Sequence, residues 1–114
     1  MMDTWSLKQG GRNVIAQSDD EDYSECGWVC YEHDGTMHLA NYSHCSCYGT
    51  WTVIDDGGGP SWSGTREELI ALVRGNRDPD MPERRSTPGD SDYKHLQAVY
   101  AELRKHFAIE GEAP

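Results

Sequence analysis

No lysine or arginine occurs between Asn13 and Thr65. The whole chain carries a net charge of −10 at pH 7, and this base-free stretch holds much of its acid. The carboxylates of the stretch are Asp19, Asp20, Glu21, Asp22, Glu25, Glu32, Asp34, Asp55 and Asp56. A uniformly negative surface repels phosphates and attracts cations. The sequence therefore argues against direct nucleic-acid binding and favours a basic protein partner. The competing interpretation is that the acidity serves only solubility.

Long apolar runs are also missing. The chain has no apolar stretch long enough to cross a bilayer, and its start lacks the basic segment and apolar run of a secretory signal. We therefore expect a cytoplasmic protein with no membrane partner. In that reducing compartment the four cysteines are expected as free thiols or metal ligands, because disulfides persist mainly in oxidising compartments.

Phenylalanine occurs only once, so the predicted core relies on four tryptophans and six tyrosines with a few aliphatic residues. At 114 residues the chain has the usual length of one domain. We predict a single α+β domain over residues 1–114. It has a small antiparallel sheet of three or four strands in the N-terminal half, packed against two C-terminal helices.

The strongest local signal is Asp34-Gly35, which lies between two strand-like arms over residues 25–33 and 36–44. A type I′ hairpin turn needs positive φ at both central residues, and this pair tolerates it. If His33 pairs with Thr36, side-chain alternation fixes the two faces of the ribbon. One face then carries Cys26, Trp28, Cys30, Met37 and Leu39, and the other carries Val29, Tyr31, His38, Ala40 and Tyr42. We expect the second face to stay wet and acidic, with its tyrosines and His38 exposed.

The other N-terminal elements are predicted from composition. Residues 1–11 are expected as a loose arm, residues 13–17 as a short strand and residues 18–24 as a solvated acidic loop, because clustered carboxylates repel one another. Trp51 to Ile54 is predicted as a further strand.

Capping signals define the C-terminal helices. Thr65-x-x-Glu68 is a capping box that begins a helix ending at Arg74, before Gly75. Residues 75–90 show no periodicity and are predicted as a long loop between the helices. A second helix is predicted from Ser91 to Ala108, capped by Asp90 or Ser91. Its apolar stripe packs on the sheet or pairs with a second copy, so both a monomer and a homodimer stay open.

The cysteines allow two interpretations. Cys26 and Cys30 lie about 13 Å apart along a strand, too far for one zinc ion, whereas Cys26, Cys45 and Cys47 share one side. The favoured interpretation is small buried side chains with no cofactor. The alternative is a structural zinc site made by Cys26, Cys45 and Cys47 with Cys30 or His44. No enzyme is predicted, because adjacent strand residues point to opposite faces and no third group orients a Cys–His pair.

The run His44-Cys45-Ser46-Cys47-Tyr48-Gly49 precedes a tryptophan, a polar loop and Thr-x-Glu-Glu-Leu at a helix start. This pattern, over residues 38–73, resembles a group of small uncharacterised bacteriophage-encoded accessory proteins. Gly-Thr-Trp follows the motif where an acidic residue is common in the group. The resemblance implies a phage accessory protein acting in the cytoplasm of an infected bacterium.

Together these observations favour a non-catalytic acidic protein that binds and inhibits a basic host protein of the defence or nucleic-acid-handling machinery, by mimicking nucleic-acid charge. The expected partner-binding residues are Asp19, Asp20, Glu21, Asp22, Glu25, Asp55 and Asp56.

Overall fold

A computed structural model describes residues 12–20, 24–45, 53–55, 57–90 and 92–109, with the backbone alone at Ser24, Glu25, His44 and Cys45. The elements are β1 (Asn13–Asp19), β2 (Ser24–His33), β3 (Thr36–Cys45), β4 (Trp62–Gly64), α1 (Arg66–Arg74), β5 (Arg77–Asp78), β6 (Met81–Arg85) and α2 (Tyr93–Phe107). Strands β1 to β4 form one antiparallel sheet in chain order, and β5 pairs with β6 in a second, two-stranded sheet. The α+β prediction is confirmed.

The β2–β3 hairpin has the predicted turn and register. Asp34 and Gly35 have φ values of 54° and 80°, as a type I′ turn requires. His33 pairs with Thr36, and the same register continues along the hairpin to the pair Ser24 and Cys45. A two-residue turn fixes the pairing of the strands, and this pairing decides which side chains face the helices.

The helices cover the face of the sheet that carries Trp28, Cys30, Met37 and Leu39. Their apolar side chains are buried in the same core cluster: Leu69, Leu72 and Val73 from α1, and Leu96, Val99, Tyr100 and Leu103 from α2. Helix α1 begins with the predicted capping box, since Thr65 accepts from the Glu68 amide and the Glu68 carboxylate accepts from the Thr65 amide. Of the two alternatives for the apolar stripe of α2, the structure shows packing on the sheet, because its Leu96, Val99, Tyr100 and Leu103 are buried in this core cluster.

The opposite face of the sheet is not wet, and this corrects the prediction. Tyr31 and Tyr42 are only 3% and 2% exposed, and they pack with Val29, Ala40 and Ile54 in a second apolar cluster. His38 is half-buried and stacks on Tyr31 with ring centroids 4.9 Å apart. Ile54 belongs to the segment from Trp51 to Ile54, which was predicted as a strand of the sheet. As a strand within the sheet, this segment could not have covered the face of that sheet.

Four boundaries also differ from the predictions. Strand β1 extends to Asp19 and β2 begins at Ser24, so both ends of the acidic loop predicted over residues 18–24 belong to strands. Residues 53–55 are helical, so at least the second half of the predicted strand from Trp51 to Ile54 is wrong; Trp51 itself and the arm over residues 1–11 lie outside the described residues. Residues 75–90 contain the β5–β6 hairpin instead of a continuous loop, and Tyr100 Oη anchors it by donating to the Arg77 carbonyl at 2.6 Å. Asp92, with φ at 55°, is the N-cap of α2 and makes no side-chain capping bond.

Within the described ranges, no helix has the length and apolar character needed to cross a membrane.

Candidate functional site

The predicted partner-binding carboxylates that the structure describes are engaged inside the molecule. Asp19 Oδ2 accepts from Tyr42 Oη at 2.6 Å, and Tyr42 Oη in turn accepts from Gln17 Nε2 at 2.7 Å. Asp55 forms an ion pair with Arg12, whose Nη2 lies 2.8 Å from Asp55 Oδ1. The side chain of Glu25, together with Glu21, Asp22 and Asp56, lies outside the described residues.

Asp20 links the end of β1 to the first turn of α2. Its Oδ1 lies 3.0 Å from His95 Nε2 and 3.2 Å from Lys94 Nζ. These hydrogen bonds, first from His95 and then from Lys94, lower the pKa of the Asp20 carboxyl because they stabilise its ionised form. The other ring nitrogen of His95, Nδ1, lies 2.7 Å from Ser18 Oγ. Ser18, His95 and Asp20 therefore form one continuous hydrogen-bonded chain.

More carboxylates surround the N-terminus of α2, and these come from the C-terminal half of the chain. Arg84 Nη2 bridges Asp78 Oδ2 at 2.7 Å and Asp90 Oδ1 at 2.6 Å. Asp92 Oδ2 accepts from Asn41 Nδ2 at 2.9 Å, which ties the helix start to β3. The backbone amide of Thr87, and then Arg84, lower the pKa of Asp90. We call this surface the acidic end and define it by Asp20, Asp78, Asp80, Asp90 and Asp92.

A cavity of about 170 Å³ lies in the acidic end. Its lining combines the apolar side chains of Trp28 and Leu96 with polar and charged ones, namely Asn41, Asp78, Asp80, Arg84 and Asp90. The indole Nε1 of Trp28 is buried with no hydrogen-bond partner among the described atoms. Asp80 is exposed, and its carboxylate has no hydrogen bond or ion pair within the described part of the chain. The cavity can therefore receive a group with an apolar stem and a cationic head.

The acidic end differs from the predicted site in composition. Of the predicted residues it contains Asp20. Asp19 is the last residue of β1, and its carboxylate accepts a hydrogen bond from Tyr42. Asp55 lies with Arg12 at the other end of β1, about 20 Å away by strand length. The other members of the acidic end are Asp78, Asp80, Asp90 and Asp92. They lie in or just after residues 75–90, which were predicted as a long loop.

The sequence did not predict the hydrogen bond between Ser18 and His95, because 77 residues separate them. One signal was available in the sequence. His95 precedes Val99 by four residues and so borders the apolar stripe of α2, a position that places it at the edge of the core. The structure confirms this position, since His95 is 7% exposed. A histidine so placed needs polar partners, but the sequence did not identify them.

The two described cysteine side chains have different environments. Cys30 is fully buried beside Trp28 and Leu39, and burial raises the pKa of its thiol to about 12. The side chain of Cys30 therefore lies in the hydrophobic core, as the favoured interpretation predicted for it. Cys26 is partly exposed, with its Sγ 3.1 Å from Ser43 Oγ.

The remaining candidate ligands are not described as side chains. Those of His44 and Cys45, and the whole of Cys47, lie outside the described residues. The described part of the chain holds no group of three histidine, cysteine, aspartate or glutamate side chains placed to hold a metal ion.

Alkylation and alkaline unfolding test the environment of Cys30. In the folded protein at pH 8, iodoacetamide is expected to modify Cys26 and leave Cys30 unmodified, as read by peptide mass spectrometry. Because the pKa of Cys30 is raised from 9.0 to about 12, the unfolded thiol ionises first. The stability that Cys30 contributes is therefore complete below pH 9 and is lost as pH rises toward 12.

A Cys30→Val variant separates this effect from the alkaline ionisation of buried tyrosines, since burial also raises the pKa of Tyr100. Urea unfolding between pH 8 and pH 11 should show a shallower decline for Cys30→Val than for the original chain. Equal declines would contradict the role of the thiol.

No family model, curated protein or solved structure matches this chain. The fold and the site together define a small α+β protein with an acidic surface around the N-terminus of α2.

Proposed function

We propose that the protein binds a basic surface of another protein through its acidic end. The main support for this proposal is that five carboxylates from both halves of the chain lie around the start of α2: Asp20, Asp78, Asp80, Asp90 and Asp92. Arg84 and Lys94 form ion pairs with these carboxylates, and the five carboxylates and two cations together carry a net charge of −3. Such a surface accelerates encounter with a cationic partner and repels phosphate.

The cavity supports a particular mode of contact. A lysine or arginine of the partner can place its methylenes against Trp28 and Leu96 and its charge beside Asp80. Asp80 supplies this contact without breaking an internal bond, whereas Asp78 and Asp90 are already bound to Arg84. We therefore assign Asp80 the largest share of partner recognition among the described carboxylates.

The biological setting of the proposal comes from the resemblance of His44 to Gly49 to bacteriophage accessory proteins. On that basis the partner is a host protein of defence or of nucleic-acid handling, met in the bacterial cytoplasm. Occupation of its basic surface by carboxylates in place of phosphates inhibits it.

Two charge reversals of equal size test this function. Asp80→Lys changes the acidic end, whereas Glu102→Lys makes the same change in net charge at an exposed position about three helical turns into α2. Each protein is immobilised and exposed to a bacterial lysate, and captured proteins are identified by mass spectrometry. We expect the original chain and Glu102→Lys to retain the same basic proteins, and Asp80→Lys to retain about three- to tenfold less of them.

Competition with double-stranded DNA tests the mimicry. DNA added to the lysate should displace the captured proteins, and raising the salt concentration should release them, since the contacts are between exposed charges. Equal capture by Asp80→Lys and Glu102→Lys, or a captured set without an excess of basic proteins, is the result that would refute the proposal.

A further inference from the structure

Two serine–histidine pairs occur in the described part of the chain, and they differ in one respect. Ser63 Oγ lies 2.7 Å from His38 Nδ1, on neighbouring strands, and among the described groups no carboxylate contacts the His38 ring. Ser18 Oγ lies 2.7 Å from His95 Nδ1, and Asp20 Oδ1 lies 3.0 Å from His95 Nε2. Only the second pair has the third group that orients a catalytic base.

The proton positions in this chain follow from Asp20. An ionised carboxylate can only accept hydrogen bonds, so His95 Nε2 carries the hydrogen that lies between the two groups. In the neutral ring Nδ1 then holds the lone pair and accepts from the Ser18 hydroxyl. The two ring nitrogens exchange the positions most familiar in serine hydrolases, but the direction of proton transfer, from serine to imidazole, is the same.

Two of the three side chains lie on regular elements, and the third, Asp20, immediately follows the last residue of β1. His95 lies in the first turn of α2, where its amide donates to the Asp92 carbonyl at 3.0 Å. Ser18 lies in β1 opposite Trp28, and the Asp20 amide donates to the Cys26 carbonyl at 3.1 Å. His95 is buried, whereas Ser18 and Asp20 are half-buried at the protein surface. The hydroxyl is therefore positioned by rigid elements and lies beside solvent, as an attacking group must.

We propose that Ser18, His95 and Asp20 form a catalytic triad that hydrolyses carboxylic esters. Ser18 Oγ attacks the carbonyl carbon of the ester while its proton passes to His95 Nδ1. The alcohol leaves with that proton, and the acyl group stays on Ser18. Water then attacks the acyl-serine, gives a proton to His95, and the acid leaves as Ser18 recovers that proton. Asp20 remains ionised throughout and stabilises the imidazolium form of His95.

The surroundings define the class of ester. Asp19 and Asp20 adjoin Ser18 in sequence and Asp92 begins the helix that carries His95, with Lys94 as the near cation. An anionic ester is therefore repelled, and neutral or cationic esters are the expected substrates. Asp20 belongs both to the triad and to the acidic end. The activity is nevertheless additional to partner binding, because Asp80, the main recognition residue of the proposed function, takes no part in it.

A fluorophosphonate probe, which forms a bond to activated serines, tests the triad. We expect labelling of Ser18 in the original chain and in the matched control Ser63→Ala, and no label on position 18 in Ser18→Ala. Hydrolysis of p-nitrophenyl acetate should fall about 100-fold in Ser18→Ala and in His95→Gln, measured above the uncatalysed rate. Glu102→Lys should retain the full rate, because Glu102 is exposed and belongs neither to the triad nor to the acidic end.

A comparison of p-nitrophenyl acetate with its hemisuccinate analogue, which is anionic, tests the substrate class, and the neutral ester should react faster. Circular dichroism checks that each variant is folded. Absence of label from Ser18 in the folded original chain, or equal hydrolysis by the original chain and Ser18→Ala, would overturn the proposal.

Discussion

Replacing Leu39 by alanine is expected to lower the free energy of unfolding by about 3 kcal/mol. Leu39 is fully buried at the centre of the sheet, where it pairs with Cys30 on one side and with Trp62 on the other. It belongs to the core cluster to which both helices contribute. The truncation removes apolar contacts and leaves a cavity that rigid neighbouring strands cannot close, so both terms add.

Urea unfolding at pH 7, followed by tryptophan fluorescence, measures this change. Met81→Ala is the matched control, because Met81 is 48% exposed on the β5–β6 hairpin and loses little apolar contact on truncation. The control should unfold within about 0.5 kcal/mol of the original chain. A similar loss for both variants would show that Leu39 does not occupy the core as described.

Replacing Gly27 by alanine is expected to cost about 2–3 kcal/mol, although only one methyl group is added. Gly27 lies in β2 opposite Asp19, and a Cβ at this position would lie 2.5 Å from Asp19 Cβ and closer still to the Ser18 carbonyl oxygen. The obstacle is largely backbone, so the end of β1 must move away from β2. That movement also separates Ser18 from His95.

Gly89→Ala provides the control for this prediction, because a Cβ at Gly89 would meet no atom within 4 Å. It should leave the free energy of unfolding unchanged or raise it by a few tenths of a kcal/mol through the unfolded state, as roughly expected for a permissive glycine. If Gly27→Ala were as stable as Gly89→Ala and kept its fluorophosphonate labelling, the close packing of β1 on β2 would be refuted.

Local signals were sufficient wherever neighbouring residues make the decisive contacts. The β2–β3 register follows from the conformations that Asp34 and Gly35 adopt, and the start of α1 follows from Thr65 and Glu68. Both are contacts between residues close in sequence, so their geometry is encoded in a few adjacent positions.

Contacts between distant segments could not be predicted in this way. Alternation correctly put Tyr31 and Tyr42 on the face opposite the helices, but it could not show that Ile54 covers that face. Strand β6, with the sequence MPERR, lacks an alternating apolar pattern. Its Arg84 forms ion pairs with Asp78, which precedes the strand, and with Asp90, which follows it. Propensity indicates such a segment poorly, because tertiary contacts stabilise it.

The sequence by itself determined the α+β class, the register of the hairpin, the two helices and the acidic character of the molecule. Only the tertiary structure decided which carboxylates make contacts inside the molecule and which side chains meet at the start of α2. Charge and periodicity are properties of single positions or short segments. The hydrogen bonds of Asp19 to Tyr42, of Asp20 to His95 and of Ser18 to His95 join residues far apart in sequence. They therefore depend on how strand β1 lies relative to β3 and α2.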